Sequence, residues 1–584
     1  MEFKVKNKVF LGIVVGGVFL LLLVFASHSA YAQTSGSVLF HVDSGFDNST
    51  RSSVSATLRH ESERAYFYVE DDYWSSVSLS TRSGALSNLD DIGDNFDLEI
   101  YPKVTDVFGI EWTPGIDNDP KTTVLITNMR EGIGGYFREE DEIKRTQAPT
   151  SNEREILYLN SDFLGNPLYL KSFLAHELQH LIHYNQKNRL LNVREELWVN
   201  EMMSEVAPTI AGLNDTYQGS NLQSRVRTFL GNPSDDMTRW NNDQADYGVV
   251  SMLGHYLYGR YGDDFFTALI KSDNSGILGI NDALESVGAD KKFQDVFNNW
   301  VIASLVNNCT VSPVNAYCYR NPNLNYNNLH ITFEGAKEGG KIISQSDTTF
   351  PWQGNWKSYS REAVVEQPDD HVFVLTFNKP QGSLFTVPYA VYPYSGPPQI
   401  FYMELSGNSG KFYLEDFGYK YGEVVLMPVL QNFLGNTPLV NYSITAEITE
   451  TVPLDATKSM VATESAPVFF PDGALVREEG NDRVYIIKNT PEGNSYKRWV
   501  QAPQIIDMYG HLSWDNVLVV DRGVLDEYED VSVIRYTGDR RVYIVSATGE
   551  KSWITTEEEF LGLGLRFDMV YEINEREFNF YATL

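Results

Sequence analysis

Two histidines four residues apart, His176 and His180, lie in KSFLAHELQHLIHYNQK (171–187), and a third, His183, stands close by in a chain that has only 10. Positions i and i+4 share a face only on a helix, so if the two imidazoles act together this stretch is helical. Zinc takes imidazole nitrogen at about 2.0–2.1 Å and needs three protein ligands if one position is to stay open to water. Glu177, beside the first histidine, is placed to take a proton from that water. The third ligand is expected from NVREELWVNEMMSE (192–205), a second helix that must cross the first. Glu201 lies 21 residues beyond His180 there. Glu205, one turn later on the same face, reaches toward the other ring nitrogen of His176, where a carboxylate would fix the tautomer. His183 follows His176 by seven residues, about 10.5 Å of helical rise, and reads as packing or cleft lining, not as a ligand. The competing reading is a purely structural helix pair whose histidines and glutamates are surface groups.

The order of patterns around this pair sets the fold class. Segments SVLFHV, VSATLRH and AYFYVED between 36 and 72 alternate as strands, and 86–112 has helical spacing with an N-cap expected at Ser87 or Asn88. TTVLITNM (122–129) and REILYLN (154–160) read as strands separated by the Gly-rich GIGGYF (132–137), and helices follow to about residue 308. Strands first and helices after give an α+β domain, taken as 33–320. Short alternating strands over 321–450 predict a β-sandwich, and 451–467 reads as a Thr/Ser/Pro-rich linker. LVREEGNDRVYIIKN (475–489) returns as VIRYTGDRRVYIVSA (533–547), so 468–530 and 531–584 read as two copies of a small β-rich module, with Trp499 and Trp553 as candidate core residues.

Residues 1–32 carry Lys4, Lys6 and Lys8, an apolar run and Ala30-Tyr31-Ala32, the pattern of a cleaved signal peptide; an uncleaved anchor is the rival reading. Export makes a disulfide between Cys309 and Cys318 the expected state of the only two cysteines. With 46 Lys+Arg against 78 Asp+Glu, a net charge of −32 argues against nucleic acid as a partner. No segment after the leader is long and apolar enough to span a membrane. Asp117-Asn118-Asp119 before Pro120 is a turn or a calcium loop, and without the remaining EF-type spacing it reads first as a turn.

HELQH followed by WVNEMMSE resembles the gluzincin class of zinc peptidases. HELQHLIHYNQK and REELWVNEMMSEVAP, with GIDNDPKTTVLITN, SNEREILYLN and DYGVVSMLGHYLYGRYG around them, resemble the hyicolysin family of secreted bacterial metallopeptidases. The likeness spans about residues 36–305. One departure is Met202, where that family usually has Gly after the ligand glutamate. The resemblance implies a thermolysin-like catalytic domain, zinc on His176, His180 and Glu201, Glu177 as base and proton shuttle, and Glu205 behind His176. It also implies an oxyanion donor from a later helix, with Tyr247 the first candidate and His255 the second. An edge strand that holds substrate is implied too; TTVLITNM with GIGGYF beside it fits that role, and a plain core strand fits TTVLITNM equally well. The expected activity is endopeptidase cleavage of proteins or peptides, with a cell-envelope ligand for the repeats. The alternatives are a zinc aminopeptidase, for which no G-x-M-E-N-type motif is present, and a surface adhesion protein with a vestigial peptidase domain.

Overall fold

The computed structural model describes residues 36–583 except 290, 313–314, 334–336, 339–341, 365–370, 432–438, 454–456, 459–469, 471, 479, 491–494, 511, 521–524 and 526–527. The leader (1–32) and most of the 451–467 linker lie outside the described residues. The chain is multidomain, with mixed α and β content and several separate sheets.

The first sheet runs β1 (Ser37–His41), β2 (Ser53–Glu61), β3 (Ala65–Glu70), β4 (Thr122–Thr127), β6 (Ile156–Asn160) and β5 (Gly135–Phe137), in that spatial order. β3, β4 and β6 are parallel, while β1, β2 and β5 run antiparallel to their neighbours. Every residue of β4 and β6 is buried, as expected of strands covered on both faces. β4 is therefore central, so of the two readings of TTVLITNM the core strand holds, and the free edge beside the helices belongs to β5 in GIGGYF. Helix α1 (Asp71–Ser76) leads into α2 (Leu79–Asn95), which a π-helical turn joins to α3 (Tyr101–Phe108). The N-cap of α2 is Ser78, accepting from the Thr81 amide, not Ser87 or Asn88. Ser75 to Ser83 disguise the first two turns as loop; Asn88 is interior and donates to the Leu164 carbonyl.

Helices α4 (Pro167–His183), α5 (Leu197–Ile210), α6 (Asn221–Gly231), α7 (Gln244–Lys271), α8 (Gly276–Ser286) and α9 (Phe293–Val306) build the other layer. α7 breaks at Gly262, whose φ of 65° is non-helical. Leu170, Leu174, Leu178, Leu181 and Ile182 bury one side of α4 in a core shared with β3, β4, β6 and α5. α5 and α7 approach closely at Gly254, where an added Cβ would meet Val206 Cγ2 at 2.8 Å and Met202 Cγ at 3.0 Å. The Met202 side chain thus packs against the gap left by a glycine on the neighbouring helix. Cys309 and Cys318 are disulfide-bonded.

Beyond residue 340 two mainly antiparallel sheets face each other across a core that includes Phe373, Leu375, Tyr389, Phe412, Val424 and Ile444. The last two sheets share one plan. Leu475–Glu478 pairs antiparallel with Tyr485–Asn489, which pairs antiparallel with Ser495–Trp499, and parallel strands flank both ends. Val533–Tyr536, Val542–Val545 and Glu550–Ile554 repeat this pattern, again with parallel flanking strands. Trp553 is not core, being 51% exposed, while Trp499 is half-buried under the Arg483 guanidinium.

Candidate metal centre

α4 holds the first two candidates rigidly because its N-terminal turn starts at Pro167 and its apolar side is locked under the sheet. His176 and His180 project from the opposite side toward α5. Their Nε2 atoms lie 3.2 Å apart. Oε2 of Glu201, on α5, is 3.3 Å from His176 Nε2 and 3.4 Å from His180 Nε2. Two ligand atoms at about 2.0–2.1 Å from one tetrahedral zinc are about 3.3 Å apart, so all three spacings suit one ion. Glu201 Oε2 is also buried without a hydrogen-bond partner, an arrangement that costs free energy unless something positive sits there.

The surrounding groups orient these atoms. His180 Nδ1 is 3.2 Å from Asn200 Oδ1 and 3.1 Å from Ser204 Oγ, and Ser204 in turn donates to Gln179 Oε1. A proton on Nδ1, donated to Asn200, leaves the Nε2 lone pair facing Glu201. His176 Nδ1 faces Glu205 Oε1 at 3.5 Å. Glu205 is wholly buried, and both its oxygens accept from Arg225, at 2.9 Å from Nε and 2.7 Å from the terminal nitrogen. Sequence reasoning missed Arg225. Nothing in NLQSRVRTFL marks it, because its partner is set by how α6 packs rather than by spacing.

Glu177 is buried, and the desolvation pushes its carboxyl up to about 7, against the pull of His176 and His180. Gly135 on β5 lies directly over it: a Cβ there would stand 3.0 Å from Glu177 Cγ and Oε1, and 2.6 Å from the Tyr158 carbonyl. Tyr247 sits in the first turn of α7, its hydroxyl 3.3 Å from Asn242 Oδ1 and the Arg225 guanidinium over its ring. Burial pushes its ionisation well up, and the charges of Glu201, Glu177 and Glu205 add to this. His255 has both ring nitrogens engaged in the core, Nδ1 at 2.7 Å from the Ser251 carbonyl and Nε2 at 2.7 Å from Thr209 Oγ1. His183 faces the interior, and burial pushes it down to about 3. Asp117 and Asp119 accept from backbone amides two residues on, the geometry of successive Asx turns.

No family model matches the chain. Over 245 residues, 37% of this chain and 51% of the relative, it is 23% identical to the neutral metalloprotease ShpI of Staphylococcus hyicus. The chain is a distant homologue of a metalloprotease. It spans about half the length of that curated relative. Such a homologue implies a metal cofactor, and the His176, His180 and Glu201 group could bind one. The donor set, two imidazoles and a carboxylate with an orphaned buried oxygen, fits that implication. Among the described residues no helix is long and apolar enough to cross a membrane.

Proposed function

We propose that the chain is an exported zinc-dependent endopeptidase. The observation that carries the reading is the convergence of His176, His180 and Glu201 at 3.2–3.4 Å with Glu177 beside them under a sheet edge. His176, His180 and Glu201 would hold zinc, which when bound supplies Lewis acidity to a carbonyl and to water. Glu177 takes a proton from the attacking water as its oxygen bonds to the scissile carbonyl carbon. It then gives that proton to the departing amine nitrogen as the C–N bond breaks. Tyr247 donates to the oxyanion that develops on the carbonyl. The free edge of β5 offers main-chain groups to an extended peptide, so substrate lies across the site as an added strand. Glu205 and Arg225 hold His176 in place. The leader of residues 1–32 directs export, and the tandem repeats carry a cell-envelope ligand, for which Arg483, Tyr485, Arg498 and Trp499 line a cleft at their seam.

The test is hydrolysis of casein by the mature chain, with zinc content measured in parallel. Glu177→Gln is expected to keep one zinc and to lose about 10²–10⁴-fold in kcat/KM. His180→Ala is expected to lose the zinc itself. Retained activity in Glu177→Gln sinks the mechanism, and a zinc-loaded wild type that cleaves no protein or peptide sinks the peptidase reading.

A further inference from the structure

A second group of carboxylates lies at the start of α7. One oxygen each from Asp235, Asp243 and Asp246 falls within 4.8 Å of the other two. Asp246 is fully buried, and its two oxygens differ in kind. Oδ2 accepts from the Asn241 and Asp243 amides, at 3.0 and 2.9 Å, whereas Oδ1 is shut off from solvent with no hydrogen-bond partner. Asp235 Oδ2 is likewise buried and unpartnered. Asp243 caps the helix through one oxygen only, Oδ1 accepting from the Ala245 and Asp246 amides. The basic groups nearby are engaged elsewhere, Arg239 with Asp236 and Arg225 with Glu205. Among the described residues, none forms an ion pair with any of the three aspartates.

We infer that Asp235, Asp243 and Asp246 form a calcium site that fastens the 232–243 loop to the first turn of α7. Three carboxylates crowded together, with Asp246 fully buried, Asp235 partly buried and Asp243 at the surface, repel one another, and a single shared proton satisfies at most two of them. Burial and the neighbouring charges of Asp246 and Asp243 push Asp235 up to about 7, in line with that conflict. A divalent cation resolves it. The donors are all oxygen, which suits a hard ion. The donor type separates calcium from zinc, because zinc favours imidazole nitrogen and thiolate sulfur, whereas an all-carboxylate group suits calcium. One to two oxygens per aspartate, with backbone carbonyls and water, complete a shell of about 6–8.

The position gives the site a consequence. Asp246 precedes Tyr247, Asn242 accepts from its hydroxyl, and Trp240 packs edge-on against its ring. The loop is held on its other side by Gln353, which donates to the Ser234 carbonyl. Calcium would therefore set where Tyr247 stands. That consequence rests on the peptidase reading, whereas calcium binding does not.

The experiment uses the full mature chain loaded with zinc and freed of calcium. Addition of about 5 mM calcium, above the 10⁻⁴–10⁻³ M range of extracellular calcium modules, is expected to raise Tm by about 2–4 °C. Magnesium, which holds its water, is expected to do much less. Terbium should give luminescence sensitised through Trp240 that calcium displaces. Asp243→Asn keeps a good helix cap, so it should fold, and with Asp235→Asn it should lose both responses while zinc content stays at wild-type level. Absence of any calcium-dependent Tm change and of displaceable terbium signal overturns the site. So does persistence of both in the Asp235→Asn, Asp243→Asn double variant. Calcium binding without proteolysis would sink the peptidase reading and leave the site standing.

Discussion

Arg225 holds the electrostatics behind His176. Its guanidinium satisfies both oxygens of a carboxylate that is completely out of water, and its flat face covers Tyr247. Arg225→Met leaves Glu205 buried without a counter-charge, which is expected to cost about 3–5 kcal/mol in denaturant unfolding. It also frees His176 to tilt, so zinc affinity by competition titration should fall about 10–100-fold, as for other outer-shell losses. Lost stability with unchanged zinc affinity would show that the pair serves packing alone. Four members of this group, His176, His180, Glu201 and Glu205, were legible in the sequence because helical spacing and chemistry constrain them together. Arg225 was not, since an ion pair between α5 and α6 depends on how two helices dock. The setting of His255 was equally hidden, since Thr209 and Ser251 occupy both its nitrogens and no periodicity reports that.

Among the elements, β5 is the one whose placement matters most to the chemistry. Gly135 in it and Gly134 just before it lie so close to α4 that a Cβ on Gly134 would meet the Phe173 ring at 2.5 Å. At Gly135 the obstacles are the Tyr158 carbonyl and Glu177 itself, so a methyl group must push the edge strand away from the base. Gly135→Ala is expected to keep its zinc but lose about 10²-fold in kcat/KM on casein, the size of effect that a shift of about 1 Å produces. Full activity in this variant would remove β5 from the site. The glycines and the strands on either side were visible in the sequence, but the sheet order was not. TTVLITNM reads equally well as centre or edge until its neighbours are known, and only its complete burial between β3 and β6 decides. The start of α2 was hidden for another reason. Ser and Thr around residue 80 mimic a loop, although Ser78 is the residue that caps the helix.

At the scale of the molecule, the helical layer and the β-sandwich are bound together far more than their separate sequence patterns suggest. Trp352 and Trp356 lie between the sandwich strands Ile342–Thr349 and Lys357–Ser360, yet both belong to the same core as α9. The Trp352 ring packs on Phe293 and Phe297, Trp356 donates to the Val301 carbonyl, and Gln431 donates to Asn298 Oδ1. Alternating strands announce where the sandwich starts, but a tryptophan carries no mark of which core it enters. Ile400, Val425, Met427 and Val429 join that core as well. At about 1.5–3 kcal/mol for each large apolar side chain buried, these residues alone match the net stability of about 5–15 kcal/mol typical of a native protein. A chain stopped after Arg320 should therefore be insoluble or molten. The repeats are different. Among the described residues, Leu384 of the sandwich shares a core with Phe470, Val476 and Tyr485, while the two copies pack mainly on each other through Tyr496, Val533, Ile534 and Tyr571. A chain stopped after Pro467 should keep its zinc, its casein hydrolysis and the main calorimetric transition to within about 2 °C. The full-length chain should show a second transition that this truncation abolishes. A single shared transition in the full-length chain, or loss of the zinc site on removing the repeats, would mean that the repeats support the catalytic layer directly.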